Sequence, residues 1–385
     1  MITNKSILYL IMIIFILTGS LANIIPKIEL EVTSLGKKFQ HVWVFLFFMF
    51  FNENFALFIF YCSNKTINSN KPECKHYHSI PSVIFDFFGV GINFLGLAVL
   101  PGSITQMLSC TQLIFTYLLD IIFTKNKHNI NQYLGIIITM LGVIIIGFSG
   151  TQTVDSDNLT FILGIICVLI SQFFISCQII YEENISKKYE CYASKLIGFQ
   201  GVYGSTLTFI VILIFSNISC GKAETKFLRE VCSQDNNNNW RVENLSFAIK
   251  QLKNSGYLIF LTIFYFFGDL LCNLSGITIG QNLSAMNRAI LEPLKSIFVW
   301  IYFVLPFNPS SLREYFDFSQ LLGFFFLVMG NLFYHNIIDI NYYFNKGNNE
   351  MKEEVYEVKV EISQDHGIIE NNKNNFSKDY VNLKV

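Results

Sequence analysis

Charged residues are scarce in this sequence of 385 residues. Aspartate, glutamate, lysine and arginine make up 14% of it, against about 25% in a typical soluble protein, and 52% of the residues are apolar. So few charges cannot cover the surface of the two or three soluble domains that this length would allow. The net charge of -1 gives no electrostatic basis for binding nucleic acid. The composition therefore indicates a polytopic membrane protein.

Sequence signatures of enzymes and bound cofactors are also missing. The sequence has no glycine-rich phosphate loop of the Walker type, which argues against ATP-driven transport. The 9 cysteines are scattered, mostly inside apolar runs, and do not form a secreted disulfide framework. Cys74, His76 and His78 lack a fourth metal ligand at a suitable spacing. We therefore predict neither an enzyme nor a bound metal or cofactor.

Long apolar runs are abundant, and about 20 mostly apolar residues suffice for a membrane-spanning helix. We place ten such spans at 7–26, 42–62, 82–100, 105–124, 131–149, 160–181, 196–216, 257–279, 284–305 and 319–337. In an alternative interpretation the first run is a signal peptide, which would leave nine spans.

The distribution of basic residues predicts that both termini face the cytosol. Eight lysines then lie in short inner loops: Lys65, Lys71, Lys75, Lys125, Lys127, Lys187, Lys188 and Lys195. Four basic residues lie in short outer loops: Lys27, Lys37, Lys38 and Arg313.

The two halves of the sequence resemble each other. A shift of 183 residues places Asp86 on Asp269, and Gln132-x-Leu134-Gly135-x6-Gly142 recurs as Gln320-x-Leu322-Gly323-x6-Gly330. Glycines seven apart share one helix face, where they let helices approach closely. Because five spans per half is an odd number, the halves must be inverted relative to each other, as in secondary transporters. We predict an all-α membrane protein with ten transmembrane helices as two inverted five-helix repeats.

These repeats define the predicted domains. The first repeat covers residues 1–150, and the second covers 151–340 and includes an outer loop at 217–255. Residues 341–385 are predicted to be a disordered cytosolic tail, because they are rich in charges and poor in apolar residues.

Several motifs resemble a known transporter family. They are Leu283-Ser284-Ala285-x-x-Arg288 followed by Glu292-x-x-Lys295, and Gln106-Met107-Leu108 with Gln132-x-Leu134-Gly135. Together they resemble the drug/metabolite transporter superfamily, and in particular the F branch of solute carrier family 35, which is nucleotide-sugar-transporter-like. A more distant similarity is to the chloroquine resistance transporter family. The resemblance implies a ten-helix carrier that works by alternating access. The sequence departs from that branch at Ser109, where an arginine is usual, and at Gln200, where a glutamate is usual.

Ionisable side chains inside a membrane are costly and usually functional. The ten predicted spans contain seven: Glu53, Asp86, Asp120, Asp269, Arg288, Glu292 and Lys295. Arg288, Glu292 and Lys295 share one face of span nine, where they either bind an anionic solute or form a self-neutralising ladder. Pro293 should kink this helix. Its counterpart under the repeat is Cys110, so we expect the kink to be absent from the first half.

The other candidates differ in their expected roles. Glu53 is a candidate for carrying a coupled proton, with a structural ion pair as the alternative. Asp86 and Asp269 are expected to be structural, as carboxylates near helix N-termini, with a functional role as the alternative. Gln106, Ser109 and Gln112, three residues apart on span four, and Asn273 on span eight are candidate solute contacts, although such polar residues also bond neighbouring helices.

The non-membrane segments carry two further signals. A lumenal outer loop would allow a disulfide between Cys220 and Cys232. In the tail, Tyr380 and Leu383 have the spacing of a sorting-adaptor motif that binds by strand addition. This motif favours an endosomal, lysosomal or vacuolar membrane, with the Golgi as the alternative.

These features predict a secondary active transporter of a small polar, anionic organic solute in an intracellular membrane. The alternatives are a carrier of cationic or peptide-like solutes, and a membrane adaptor without transport activity.

Overall fold

The computed structural model describes residues 5–62, 72–124, 130–153, 158–189, 191–221, 225–234, 240–305, 313–314 and 317–334. The predicted tail, its Tyr380 to Leu383 motif and the end of the tenth predicted span lie outside these residues. Within them the helices are α1 (Lys5–Glu31), α2 (Val42–Cys62), α3 (Ile80–Val99), α4 (Gly102–Ser109), α5 (Gln112–Thr124), α6 (Ile130–Thr153), α7 (Asn158–Lys188), α8 (Ala193–Phe215), α9 (Lys226–Val231), α10 (Leu245–Asn254), α11 (Gly256–Asn282), α12 (Ala285–Val304) and α13 (Phe318–Tyr334).

The architecture is that of an all-α membrane protein. In the described part of the chain, seven helical segments are long and apolar enough to cross a membrane, and they coincide with predicted spans one to four and six to eight. The other three predicted spans coincide with α6, α12 and α13. α12 carries three ionisable side chains, and the apolar segments of α6 and α13 are shorter, at Ile130–Ile146 and Phe318–Gly330. A count of ten spans therefore stays a prediction.

The helices pack in antiparallel pairs that bring distant parts of the chain together. α1 packs along α11, α2 along α8, α3 along α7, and α6 along α13. Buried phenylalanines fill the largest core cluster, among them Phe45, Phe50, Phe94 and Phe303. Their rings supply large contact areas between helices that lie in lipid, where the hydrophobic effect does not drive helix association.

The α6–α13 pair confirms the role predicted for the repeated glycines. A Cβ atom added at Gly142 would lie 2.6 Å from the carbonyl oxygen of Gly323. A Cβ atom at Gly330 would lie 2.6 Å from the carbonyl oxygen of Gly135. Because the obstructing atoms belong to the backbone, a side chain here would force the two helices apart.

The substitution Gly142→Ala should therefore destabilise the protein, by about 1–3 kcal/mol as for other overpacked sites. Gly280→Ala is the matched control, because Gly280 lies in α11 and a Cβ atom there would meet nothing within 4 Å. Thermal unfolding of the two purified variants measures the difference. Equal melting temperatures would show that α6 and α13 can move apart without loss of stability.

We call the two ends of the bundle the inner end and the outer end. At the inner end α2, α5, α7, α11 and α13 end and α3, α6, α8 and α12 begin, as the chain crosses from one end to the other. The segment between α8 and α11 lies at the outer end. It contains α9, α10 and a two-stranded sheet of β3 (Ser233–Gln234) and β4 (Trp240–Arg241). A disulfide joins Cys220 to Cys232, the pair whose bonding the sequence left open.

A buried polar network fastens this outer segment to the start of α2. The His41 ring contacts Glu243 Oε1 through Nδ1 at 2.5 Å and Gln251 Oε1 through Nε2 at 2.9 Å. The amide of Gln251 donates in turn to the carbonyl oxygens of Ser34 and Lys37, in the hairpin of β1 (Thr33–Ser34) and β2 (Lys37–Lys38). α10 thus lies against the protein at the outer end.

Candidate functional site

A polar cavity of about 150 Å³ lies in the middle of the bundle, between α1, α2, α3, α4, α5, α7, α11 and α12. Seven of the eight predicted site residues line it: Gln106, Ser109, Gln112, Asn273, Arg288, Glu292 and Lys295. The structure thus brings together candidates from three different predicted spans.

Glu53, the eighth predicted site residue, lies behind the cavity wall. Its side chain is buried between α2, α8 and α11, and its Oε1 atom accepts a hydrogen bond of 3.0 Å from the amide of Asn273. The Nδ2 atom of Asn273 also lies 3.2 Å from Asp269 Oδ2. Glu53 is therefore joined to the cavity wall through Asn273.

Both cationic side chains of the cavity are paired with carboxylates. Lys295 Nζ lies 2.6 Å from Glu292 Oε1 on the same helix, and Arg288 Nη1 lies 3.1 Å from Glu182 Oε2 on α7. The predicted three-charge ladder on α12 is thus only partly formed, because Arg288 pairs with α7 instead of Glu292.

Glu182 is the centre of a second polar network at the inner end. Its Oε1 atom accepts hydrogen bonds from Ser82 Oγ at 2.9 Å, Gln200 Nε2 at 2.8 Å and Gln178 Nε2 at 3.1 Å. A glutamate at position 200 would place a second carboxylate beside Glu182, whereas the amide of Gln200 donates to it. This contact gives the departure at Gln200 a physical reason.

Asp86 and Asp269 line the cavity, and the prediction that they stabilise helix N-termini is wrong. Asp86 is the seventh residue of α3, and Asp269 is the fourteenth of α11, both beyond the first turn where the helix dipole acts. Asp269 Oδ2 accepts a hydrogen bond of 3.0 Å from Asn52. Among the described residues no lysine or arginine forms an ion pair with either aspartate. Their positions in the repeat were the signal that could have identified them.

The fourth predicted span is broken where the repeat pairs Cys110 with Pro293. α4 ends at Ser109 and α5 begins at Gln112, and the amides of Cys110 and Thr111 bond to carbonyl oxygens three residues earlier, at Met107 and Leu108. The expectation that the first half has no break here is wrong, because a tightened turn produces one without proline. The break keeps Gln106, Ser109 and Gln112 on the cavity wall.

Lys27 was assigned to an outer loop, but α1 continues through Pro26 to Glu31 and includes it. Its ammonium donates to the carbonyl oxygens of Leu97 and Leu100, both at 2.9 Å, at the end of α3. Cations favour helix C-termini, where carbonyl groups lack partners. Glu29 on the same helix is also buried and accepts a hydrogen bond from Thr262 at 2.8 Å.

Glu314 closes the outer end next to Lys27. Its carboxylate accepts hydrogen bonds from the backbone amide and the hydroxyl of Ser103, at the start of α4. Burial of the carboxyl group raises the pKa of Glu314 above its usual value, and the bonds from Ser103 oppose the shift. Polar contacts therefore join helices at both ends of the cavity.

The side chain of Lys295 packs closely against Gly19 of α1 at the cavity wall. Its ammonium lies 4.3 Å from the ring centroid of Phe15, and a Cβ atom at Gly19 would lie 2.4 Å from Lys295 Cδ. An aromatic face and a carboxylate together form a favourable environment for an ammonium group. The side chain of Lys295 occupies this environment, between Phe15 and Glu292.

The family comparison agrees with this arrangement of helices around a polar cavity. Residues 10–148 match the EamA-like transporter family. This chain carries an EamA-like transporter domain. The resemblance to the drug/metabolite transporter superfamily that the motifs indicate is thereby confirmed.

Curated relatives extend the match beyond the EamA-like domain. The chain is 24% identical to mouse (Mus musculus) solute carrier family 35 member F6 over 309 residues, which cover 78% of this chain and 79% of that protein. It is 22% identical to the human (Homo sapiens) protein of the same name, with the same coverage. It is 29% identical to an uncharacterized protein of Schizosaccharomyces pombe over 69% of this chain and 75% of the other. The chain is thus a multi-pass membrane protein homologous to solute carriers.

A solved crystal structure of another protein has a similar fold. It superposes with a TM-score of 0.56 and covers 86% of this chain and 96% of the other, at 8% sequence identity. This likeness concerns the fold alone.

Proposed function

We propose that the EamA-like chain is a secondary active transporter that moves a small organic cation, such as an amine, by alternating access. The observation that carries the proposal is the charge balance of the cavity. Arg288 and Lys295 are already paired with carboxylates, whereas no lysine or arginine in the described part of the chain forms an ion pair with Asp86 or Asp269, which also line the cavity. A positively charged solute would supply a cationic partner.

The serine at position 109, where the F branch usually has an arginine, also favours a cationic solute. The hydroxyl of Ser109 lies 3.4 Å from Gln172 Nε2. Position 109 therefore supplies no cation that would neutralise the aspartates. The prediction of an anionic solute remains untested, and this charge balance favours its cationic alternative.

The size of the cavity restricts the solute further. Its volume of about 150 Å³ is below the range of about 300–1,000 Å³ that is usual for drug-sized ligands. A small amine fits this space better than a nucleotide sugar. In the proposed binding mode the aspartates and Glu292 contact the cation, while Gln106, Gln112 and Asn273 donate or accept hydrogen bonds.

The helix pairing supports two inverted five-helix repeats, with residues 1–150 as the first repeat and 151–340 as the second. Under exchange of the halves, α2 corresponds to α8 and α6 to α13, and these helices pack against each other. The same exchange converts the α1–α11 pair into the α7–α3 pair, which also packs. Exchanging the two halves thus converts each of these helix pairs into a pair that also packs together. This is the packing expected of two related halves.

A thermal-shift screen of the purified protein tests the proposed solute class. The probes are alkylamines, diamines, quaternary ammonium ions, organic anions and nucleotide sugars at equal concentrations. A ligand at 100 times its Kd stabilises the folded state by about 2.7 kcal/mol. We expect amines to raise the melting temperature and nucleotide sugars to leave it unchanged. Stabilisation by anions alone would contradict the proposal, and uptake of the active amine into proteoliposomes would establish transport.

Proton coupling through Glu53 is a separate prediction. Because Asn273 joins Glu53 to Asp269, a proton on Glu53 and a cation at Asp269 can influence each other. The substitution Glu53→Gln should therefore make amine uptake into proteoliposomes insensitive to an imposed pH gradient, while the wild-type protein responds to it. An unchanged response in the variant would exclude Glu53 as the coupling site.

We further propose an endosomal, lysosomal or vacuolar location, with the Golgi as the alternative. The support is the Tyr380 to Leu383 spacing, which a sorting adaptor could bind. Loss of that location in a Tyr380→Ala variant would support the motif, and an unchanged location would argue against it.

A further inference from the structure

The structure contains two disulfides at opposite ends of the bundle. One joins Cys220 to Cys232 at the outer end, and the other joins Cys74 to Cys191 at the inner end. The chain passes from Cys191 to Cys220 through α8, whose 23 residues extend about 34 Å, enough to cross a bilayer. The two bonds therefore lie on opposite sides of the membrane.

Opposite sides of a cellular membrane differ in redox state. Disulfides persist in lumenal and extracellular compartments, whereas cytosolic thiols keep cysteines reduced. One of the two pairs must therefore face a reducing compartment. The distribution of basic residues places the inner end in the cytosol, and the structure strengthens this assignment, because Lys27 lies within α1 and not in an outer loop.

The inner disulfide connects segments that the repeat assigns to different halves. Cys74 lies in the link between α2 and α3, and Cys191 lies in the link between α7 and α8. Neighbouring contacts reinforce the connection: Lys195 forms an ion pair with Glu73, and Tyr181 Oη donates to the carbonyl oxygen of His78 at 3.1 Å. The hydrogen bonds of Glu182 with Ser82 and Gln200 join α3, α7 and α8, which adjoin these two links, and lie closer to the cavity.

We propose that Cys74 and Cys191 form a cytosol-facing thiol modification site that clamps the inner entrance of the cavity when it is oxidised. With the bond formed, the α2–α3 link cannot move away from the α7–α8 link, and the cavity stays closed on this side. With both thiols free, the two halves can separate. The proposal that this movement opens a transport cavity rests on the proposed function.

The chemistry is thiol–disulfide exchange with a glutathione-type thiol. A cytosolic thiolate attacks one sulfur of the Cys74–Cys191 bond, and the other cysteine leaves as a thiolate. A second cytosolic thiol then releases the first cysteine and forms a small-molecule disulfide. In total, two small-molecule thiols are oxidised to one disulfide, and their two electrons and two protons pass to Cys74 and Cys191. The reverse reaction, with a small-molecule disulfide as the oxidant, forms the Cys74–Cys191 bond again.

The location of the pair can be tested in cells whose plasma membrane alone is permeabilised with digitonin. A Cys62→Ser background removes the exposed free cysteine near the same end of the bundle. A 5-kDa polyethylene glycol maleimide should label Cys74 and Cys191 in resting cells, and prior treatment with diamide should prevent the labelling. Labelling that still requires full lysis when a membrane-impermeant reductant has been added to the permeabilised cells would place the pair in the lumen and overturn the proposal.

The gating effect can be measured without a solute, because Cys272 is a free cysteine that lines the cavity. The purified protein is reacted with a small charged maleimide, and mass spectrometry follows the Cys272 peptide. Wild-type protein that has been reduced and desalted, and the Cys74→Ser/Cys191→Ser variant, should both be labelled at least about tenfold faster than the oxidised protein. The matched control is Cys220→Ser/Cys232→Ser, which should keep the slow rate.

Equal labelling of Cys272 in the oxidised and reduced protein would overturn the clamp. Reduced wild-type protein carries no substitution, so the test does not depend on whether the Cys74→Ser/Cys191→Ser variant folds. Since neither experiment requires transport, a negative amine screen would contradict the proposed function and leave the clamp standing, whereas unchanged labelling would contradict only the clamp.

Discussion

Replacing Asp269 with asparagine should lower the affinity for amines by about 10- to 150-fold. A hydrogen bond to a charged group contributes about 1.5–3 kcal/mol, and each 1.4 kcal/mol corresponds to a factor of ten. The substitution should leave the fold intact, because Asn52 and Asn273 both donate to Oδ2 of Asp269. An asparagine oxygen can accept the same two bonds. The loss should therefore appear in amine binding rather than in the melting temperature of the protein without ligand.

The thermal-shift screen and amine uptake measure this effect. Asp86→Asn should weaken amine binding in the same way, because Asp86 also lines the cavity. Asp317→Asn is the matched control: it makes the same change of charge at the outer end, where the side chain caps the backbone amide of Ser319. Wild-type affinity in both cavity variants would show that the aspartates do not bind the solute.

Replacing Arg288 with methionine should cost about 3–5 kcal/mol of stability, as when one partner of a buried ion pair is removed. The buried carboxyl group of Glu182 would then have only neutral donors, from Ser82, Gln178 and Gln200. The melting temperature of the purified protein without added solute measures the loss.

The double variant Arg288→Met/Glu182→Gln tests the cause of that loss. Removing both charges leaves no unpaired carboxylate, so the double variant should regain most of the stability that the single variant loses. A double variant as unstable as Arg288→Met would show that packing of the Arg288 side chain, and not the ion pair, stabilises the inner end.

The cavity wall shows where sequence patterns were sufficient. Helical spacing predicts Gln106, Ser109 and Gln112 as solute contacts, Asn273 is the predicted contact on span eight, and all four line the cavity. Helical spacing places residues three or four apart on one face, and the tight turn after Ser109 keeps Gln112 on the cavity wall with Gln106 and Ser109. The glycines of α6 and α13 were predictable for the same reason, since close approach of two membrane helices requires small residues on one face.

Other parts of the site depend on contacts between distant segments. The partner of Arg288 is Glu182, 106 positions away, and no local pattern connects them. The break after Ser109 has no proline or glycine to mark it. The Cys74–Cys191 bond joins residues 117 positions apart, and spacing alone cannot choose among nine cysteines.

The sequence by itself determined that this protein lies in a membrane and that α12 carries the densest group of charges. These properties follow from composition and periodicity, which act along the chain. Only the tertiary structure decided which of the charged side chains within the bundle are neutralised by a partner. Arg288 and Lys295 form ion pairs with carboxylates, while Asp86 and Asp269 line the cavity and form no ion pair with a lysine or arginine that the structure describes. The physical reason is that Coulomb energy depends on distance in space, and helix packing sets that distance.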